Sequence, residues 1–189
     1  DTLDRTTNGS GRADAMNWNE LAKLDAGSWH SPAYAGETIP TLTAVAHWAI
    51  ANGAMCNIEI KPMPGRERET GAAVALDVRA LWSKAGVAPL LSSFSEEALA
   101  AARDAVPELP RALLLERIPP DWDARLSHLG CIAIDADYRA LDQVLVADAH
   151  RAGFKVLTYT PNDPVLIATL SAWHVDVMIT DAIDVVKPA

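Results

Sequence analysis

The sequence predicts an α/β fold in which parallel strands alternate with helices. Six short runs, rich in β-branched and aliphatic residues, have the length and composition of buried strands. Helix-forming segments separate most of them, and this alternation is typical of parallel βα units. Strands this apolar are covered on both faces, as in a barrel or a doubly wound sheet. No glycine-rich dinucleotide fingerprint or phosphate loop follows a strand, which favours the barrel.

Composition limits the classes of protein to which the chain can belong. Its 189 residues, 50% of them hydrophobic, are enough for one domain with a real core. The net charge is −9 and Lys and Arg form no cluster, so we expect no nucleic-acid partner. We expect no membrane partner either, because no apolar run is long enough to span a bilayer and no signal segment begins the chain. Cys56 and Cys131 lie in apolar runs, which predicts free thiols in a reducing compartment, the cytoplasm.

Residues 1–40 differ from the rest of the chain because they are polar and contain no clear strand. The run NWNELAKL predicts a short helix, with Asn17 as its N-cap and Glu20 three residues later. The runs AGSW and SPAYAGE are typical of turns. We therefore predict a loop-rich region that is attached to a regular scaffold.

The regular alternation begins at Pro40, which predicts the first turn of a helix that ends at Gly53. The strand CNIEIK follows, and the next helix is predicted over 70–84. A second strand, PLLSSF, precedes the helical run SEEALAAARDA, which Ser95 should cap. The first half of the scaffold therefore contains two strands and three helices.

The second half continues the same pattern. Its predicted strands are RALLLE, CIAIDAD, KVLTYT and VDVMITD, and its helices are PDWDARLSHLG, RALDQVLVADAHRAG and DPVLIATLSAWH. Asp163 should cap the last helix, with Pro164 in its first turn. A closed parallel barrel normally has eight strands, whereas six are predicted. Either the chain begins partway through a barrel, or the fold is not a closed barrel.

Polar side chains interrupt the first strand in a regular pattern. Side chains alternate between the two faces of a strand, so Asn57, Glu59 and Lys61 share one face. Near the carboxyl end of a barrel strand, a carboxylate can bind a hard cation such as Mg²⁺ or Ca²⁺. A neighbouring lysine can take the charge of a phosphate. The alternative is that Glu59 and Lys61 form a structural ion pair.

Other strand ends carry weaker candidates. Asp135 and Asp137 share a strand face and could bind a metal, although a helix cap is the favoured role of Asp137. Ser93 has no well-placed histidine to activate it, so a turn or a hydrogen bond near a ligand is expected instead. Phe94 and Tyr159 could form an apolar wall of a site, or they could pack in the core. All histidines lie in the loop or in and beside helices, where we expect surface or packing roles.

Seven motifs link the chain to a known family. In order, they are DTLDRTTNG, LDAGSW, IPTL, NIEIKP, LLSSF, VLTYTPN and ITDAID. Together they closely resemble the glycerophosphodiester phosphodiesterases, especially the short bacterial cytosolic type. The resemblance extends from Asp1 to about Pro188.

This resemblance implies a TIM-type (β/α)8 barrel, of which the chain would hold about six strands. One domain would cover 1–189, be partial at its N-terminus, and carry the loop-rich insertion at about 9–39. The implied reaction is metal-dependent hydrolysis of glycerophosphodiesters to sn-glycerol 3-phosphate and an alcohol, in lipid and glycerol metabolism. The implied cofactor is Mg²⁺, with Ca²⁺ as the alternative.

The resemblance also assigns roles to individual residues. Glu59 matches the family's metal-binding glutamate, and Lys61 matches the catalytic lysine that approaches the phosphate. Phe94 and Tyr159 match aromatic positions on the glycerol side of the substrate, the second of which is often Trp. Ser93, beside Phe94, is the remaining substrate-binding candidate.

The family's His-Arg, Glu-x-Asp and His-Asp motifs would all lie before Asp1. The chain therefore resembles a member that lacks about fifty residues, the equivalent of two barrel strands. One metal ligand and no acid–base histidine would remain, so we do not expect catalysis from these residues alone. A non-catalytic barrel relative that binds phosphodiesters is the alternative function. A second alternative is a lyase that uses Lys61 as a Schiff base.

Overall fold

The computed structural model of the chain describes residues 2–184 and 186. The two ends of the predicted domain, Asp1 and 187–189, lie outside the described residues. The chain forms two compact units, Asp1–Ala54 and Met55–Ala189.

The first unit is loop-rich and contains two α-helices, α1 (Trp18–Leu21) and α2 (Leu42–Ala51). At α1, Asn17 and Glu20 form the predicted capping box: each side chain accepts a hydrogen bond from the backbone N–H of the other residue. Helix α2 begins later than predicted, because the Thr41 hydroxyl accepts from Ala44 N and makes Thr41 the N-cap.

Asp25 organises the loop between these two helices. Its carboxylate accepts hydrogen bonds from the backbone N–H groups of Gly27, Ser28 and Gly36, and from the Ser28 hydroxyl. The Ser28 hydroxyl and these backbone donors hold the pKa of Asp25 well below its usual range, because they stabilise the charged form. A single carboxylate thus replaces regular secondary structure in tying this loop together.

The second unit is a six-stranded parallel sheet, and all six predicted strands are present. The strands are β1 (Asn57–Glu59), β2 (Leu90–Ser93), β3 (Arg111–Leu115), β4 (Ala133–Asp137), β5 (Lys155–Tyr159) and β6 (Val177–Ile179). They are ordered β1-β2-β3-β4-β5-β6, and every neighbouring pair is parallel. This sequential parallel order is that of a βα barrel and excludes a doubly wound sheet, in which the strand order reverses.

Helices follow the strands as the alternation predicts. They are α3 (Glu67–Leu81), α4 (Glu96–Ala105), α5 (Trp122–Leu129), α6 (Gln143–Arg151) and α7 (Pro164–Ala172). The predicted caps at Ser95 and Asp163 are confirmed, because each side chain accepts a backbone N–H of the helix that it precedes. Helix α5 ends at Gly130, whose positive φ suits the left-handed turn that closes a helix.

Two further helices differ from the prediction in their boundaries. Helix α3 begins at Glu67, before the predicted start at residue 70. The predicted helix before β5 is divided, because Asp137 caps a short 3₁₀ helix (Tyr138–Ala140) and Asp142 caps α6. The capping role expected for Asp137 is thereby confirmed, and a second aspartate restarts the helix.

The two faces of the sheet carry different side chains. Leu113, Ile134 and Val156 point to the helix-covered face, where they pack in one core cluster with residues such as Leu99 and Leu170. Their strand neighbours point to the inner face, where a smaller cluster contains Ala112, Ala133 and Leu157. The inner, concave face is therefore where polar strand residues can form a site.

The helices are also relevant to a membrane location. None in the described part of the chain is both long enough and apolar enough to cross a membrane.

Candidate active site

A cavity of about 310 Å³ lies at the carboxyl ends of the strands, where βα folds place their active sites. Four of the five predicted site residues line it: Glu59, Lys61, Phe94 and Tyr159. Residues that are far apart in sequence thus meet at one edge of the sheet. Ser92 and Asp135 also line this cavity; Asp135 was one of the weaker metal-ligand candidates, whereas no role was predicted for Ser92.

Glu59 and Lys61 provide the charges of the cavity. Lys61 Nζ lies 3.3 Å from Glu59 Oε2, and the two side chains are 73% and 34% exposed, respectively. An ion pair this exposed contributes at most about 1 kcal/mol to stability. A phosphate or a cation can therefore compete for either partner at a small energetic cost.

Phe94 and Tyr159 form one wall of the cavity. Their rings meet edge to face, with centroids 6.0 Å apart and planes at 80°. The Tyr159 hydroxyl donates to Leu115 O at 3.1 Å. Burial, followed by the charges of Asp137, Asp135 and Glu116, raises the pKa of Tyr159 to about 12. The hydroxyl therefore stays neutral and is already bonded, so Tyr159 offers its ring to a ligand.

Ser93 is the predicted site residue that the structure places elsewhere. It is buried, and its hydroxyl donates to Ile60 O at 2.6 Å and accepts from Ser95 N at 3.0 Å. These bonds tie the end of β1 to the turn that starts α4. The hydroxyl on the cavity side of β2 belongs to the preceding residue, Ser92. A substrate-binding role for Ser93 stays a prediction.

Asp135 has the most unusual environment in the site. It is fully buried, and neither carboxylate oxygen has a hydrogen-bond partner among the described residues. Burial, and then the charge of Glu59, raise the pKa of Asp135 to about 7. The sequence signal was its position between Ile134 and Ala136, two buried apolar residues of the same strand. The sequence had suggested Asp135 as a weaker metal-ligand candidate for another reason, because it shares a strand face with Asp137.

The cofactor that the sequence resemblance implies is a divalent cation. Glu59 offers the hard oxygen ligand that Mg²⁺ and Ca²⁺ prefer, on a side chain that reaches the cavity. No group of three or more His, Cys, Asp or Glu residues able to hold a metal occurs in the described part of the chain. The described residues therefore fit a contribution to a metal site, with Glu59 as ligand, and not a full set of ligands.

A second, apolar cavity of about 500 Å³ lies at the opposite end of the strands. Met55, Val87, Leu90 and Val177 are among the residues that line it. Because active sites of βα folds lie at the carboxyl ends of the strands, this cavity is not the candidate site.

Comparisons with known proteins show the family that the chain is similar to. A sequence model described as "Glycerophosphoryl diester phosphodiesterase family" matches residues 1–185. The glycerophosphodiester phosphodiesterase of Bacillus subtilis strain 168 is 32% identical over 195 residues, which is 95% of this chain and 66% of the relative.

Solved structures show the same similarity in three dimensions. The structure of an Oleispira antarctica phosphodiesterase in complex with the product sn-glycerol-3-phosphate has a TM-score of 0.89 and 36% identity. The match covers 96% of this chain and 73% of that chain. A glycerophosphodiester phosphodiesterase from Agrobacterium tumefaciens str. C58 has a TM-score of 0.77 and 26% identity, over 95% and 74% of the two chains. These similarities confirm the predicted barrel class.

Proposed function

The chain belongs to the glycerophosphoryl diester phosphodiesterase family, a family of phosphoric diester hydrolases, and from this membership we propose that it hydrolyses glycerophosphodiesters with a divalent metal. The products would be sn-glycerol 3-phosphate and an alcohol. The observation that carries the proposal is the convergence of Glu59, Lys61, Phe94 and Tyr159 in one cavity at the carboxyl ends of the strands. The sn-glycerol-3-phosphate bound by the Oleispira antarctica relative supports the same substrate class.

Each of these side chains has a part in the proposed reaction. Lys61 would leave its exposed pair with Glu59 to hold the phosphate and to stabilise the negative charge that develops on it. Glu59 would bind Mg²⁺, or Ca²⁺ as the alternative, and the bound metal would supply further charge neutralisation at the phosphate. The edge-to-face rings of Phe94 and Tyr159 would contact the carbon chain of the glycerol part.

Proton transfer is not assigned to the residues of this cavity. Of the described residues that line it, none is a histidine, and the Tyr159 hydroxyl is held by Leu115 O. The family resemblance assigns proton transfer to histidines of other motifs. The alternative function, binding of phosphodiesters without cleavage, is favoured by the lack of a histidine among the described residues that line the cavity.

The proposed compartment and partners follow from the same reasoning. We propose a cytoplasmic protein, because Cys56 and Cys131 are both free thiols. Its partner would be a small glycerophosphodiester, which would place the protein in the lipid-derived branch of glycerol metabolism.

The direct test follows release of glycerol 3-phosphate from glycerophosphocholine by the purified protein. From a protein that also carries the family's His-Arg, Glu-x-Asp and His-Asp motifs, we expect release with Mg²⁺ and none after EDTA, because we do not expect catalysis from the residues of this chain alone. Glu59→Gln should abolish release and leave the circular dichroism spectrum unchanged, because it keeps the shape of the side chain and removes its charge. Glu116→Gln is the matched control, since Glu116 is a carboxylate at the end of β3 that does not line this cavity. Absence of release in both conditions would contradict hydrolysis and support the phosphodiester-binding alternative.

A further inference from the structure

Asp135 and Ser92 both line the cavity and carry polar groups that are unused. Both are fully buried, and Asp135 Oδ1, Asp135 Oδ2 and Ser92 Oγ have no hydrogen-bond partner among the described residues. A buried polar group without a partner costs about 1–3 kcal/mol, and more when it is charged. Native structures contain few such groups, and each calls for a structural or functional explanation.

The described residues do not supply the missing partners. Lys61 is the cation among the described residues that line the cavity, and its ammonium group pairs with Glu59. The buried hydroxyl of Thr158 in β5 already has a partner, because it donates a hydrogen bond to Ala136 O at 2.7 Å. The neighbouring Asp137 also differs, since its carboxylate accepts from Arg139 N at 2.9 Å. Among the described residues, the buried side-chain oxygens without a hydrogen-bond partner therefore belong to Asp135 and Ser92, which both line the cavity.

The position of Asp135 indicates what kind of ligand group it meets. It is close enough to both Glu59 and Tyr159 for electrostatic interaction with each. It therefore lies near Glu59, one of the two charged residues of the cavity, and near Tyr159 of the aromatic wall. A ligand whose phosphate meets Lys61 and whose carbon chain contacts the rings would place its remaining substituents over Asp135.

We propose that Asp135, assisted by Ser92, is a specificity-determining residue that binds the hydroxyl groups of the glycerol part of the substrate. This inference rests on the proposed function for the identity of the substrate. A ligand hydroxyl would donate to a carboxyl oxygen of Asp135, and Ser92 Oγ would donate to or accept from a second hydroxyl. Because these polar groups would otherwise stay unpaired, the site would discriminate against a phosphate ester that lacks hydroxyls.

A binding experiment tests this inference without requiring turnover. Calorimetric titration compares sn-glycerol 3-phosphate with n-propyl phosphate, which has the same carbon chain and phosphate but no hydroxyl groups. We expect Asp135→Ala to weaken binding of sn-glycerol 3-phosphate by about tenfold or more, the effect of a lost hydrogen bond to a charged group. Binding of n-propyl phosphate should stay unchanged, and Asp135→Asn should recover part of the lost affinity because an amide keeps an acceptor.

Asp77→Ala is the control, because it removes a carboxylate in α3 that does not line this cavity. It should leave the affinities for both ligands unchanged. Equal weakening of both ligands by Asp135→Ala, or no weakening of either, would overturn the inference. So would a wild-type chain that does not bind sn-glycerol 3-phosphate.

Further outcomes separate this inference from a metal-binding role of Asp135 and from the proposed hydrolysis. A parallel titration with Mg²⁺ alone should give the same affinity for the wild type and Asp135→Ala, whereas a selective loss of Mg²⁺ affinity would make Asp135 a metal ligand and overturn the proposal. Selective binding of sn-glycerol 3-phosphate in a protein that releases none from glycerophosphocholine would support the role of Asp135 and refute hydrolysis. Hydrolysis by a protein in which Asp135→Ala does not change selectivity would support the proposed reaction and refute the role of Asp135.

Discussion

The residues of the candidate site differ in what holds them in place. Glu59 and Lys61 contact mainly each other and are exposed enough to exchange that contact for a ligand. Tyr159 is anchored through its hydroxyl to Leu115 O, which fixes the ring. Asp135 is held by burial alone among the described residues, without a hydrogen bond. The site thus combines an exposed ion pair that can exchange its contact for a ligand, an aromatic ring fixed by a hydrogen bond, and a buried carboxyl group without a hydrogen-bond partner among the described residues.

Lys61→Met should lower turnover much more than it lowers stability. The substitution keeps the length of the side chain but removes the positive charge, and loss of one group that stabilises developing charge typically lowers kcat about 100-fold. The exposed ion pair with Glu59 contributes little to folding, so the melting temperature should change by only a few degrees. Steady-state kinetics and thermal unfolding check both parts, with Lys84→Met, a substitution outside the cavity, as control. A large fall in melting temperature with normal kcat would make Lys61 a structural residue.

Asp135→Asn should stabilise the metal-free protein, increasingly so as the pH rises from about 4 to about 7. Burial and the Glu59 charge raise the pKa of Asp135 in the folded state to about 7, above its value of about 3.9 in the unfolded chain. Between these values the folded state binds more protons than the unfolded state, so stability falls as pH rises. The asparagine variant lacks this titration.

Urea unfolding of both proteins in EDTA at several pH values measures the difference. The gain in free energy of unfolding should grow through this window and level off above pH 7. A gain that does not depend on pH, or a loss, would show that Asp135 does not carry an unfavourable buried charge in the folded protein.

At the scale of elements, close packing between helices constrains the sequence as much as strand pattern does. Gly71 lies inside α3, where a Cβ atom would come within 2.1 Å of Ala98 O in α4. Because Gly71 has no side chain, α3 can approach the backbone of α4 closely at this point. Such a glycine is conformationally unfavourable in a helix by about 1 kcal/mol relative to alanine, and close packing offsets that loss.

Gly71→Ala should destabilise the protein by about 1–3 kcal/mol, because the backbone of α4 must move to admit the methyl group. Helix propensity alone would predict stabilisation, so the sign of the change is informative. Gly86→Ala is the control, since a Cβ atom there meets open space and the φ angle is not positive. Urea unfolding measures both variants. Stabilisation by Gly71→Ala would show that the two helices are farther apart than the structure indicates.

At the scale of the whole molecule, charge limits the range of partners. The chain carries 16 Lys and Arg against 25 Asp and Glu, which gives the net charge of −9. Several arginines of the described part of the chain form ion pairs with carboxylates. Arg125, for example, pairs with both Glu96 and Asp121. These pairs leave little positive potential for a polyanion.

We therefore predict that the chain does not bind nucleic acid. An electrophoretic mobility-shift assay at low salt, where binding through phosphate contacts is strongest, should show no retardation of duplex or single-stranded DNA. A shift that disappears on raising the salt concentration would reveal a basic surface and contradict the prediction.

The sequence by itself determined the six strands, most of the helices, and the caps at Asn17, Ser95 and Asp163. These features are local: side-chain periodicity and capping groups act within a few residues of one another. It also predicted that Glu59 and Lys61 share a strand face, because that follows from alternation alone. The boundaries of α3 and α6 were less predictable, since more than one nearby residue could start each helix.

Tertiary structure decided which residues meet at the cavity and which oxygens remain unused there. The short strand β2 ends in two serines, and because both of its faces are buried its composition does not reveal which serine faces the cavity. The fold turns Ser92 inward and uses the Ser93 hydroxyl to bind Ile60 O. The lack of partners at Asp135 is likewise a property of its surroundings, because whether a carboxyl is satisfied depends on groups from other strands that only the assembled sheet brings near it.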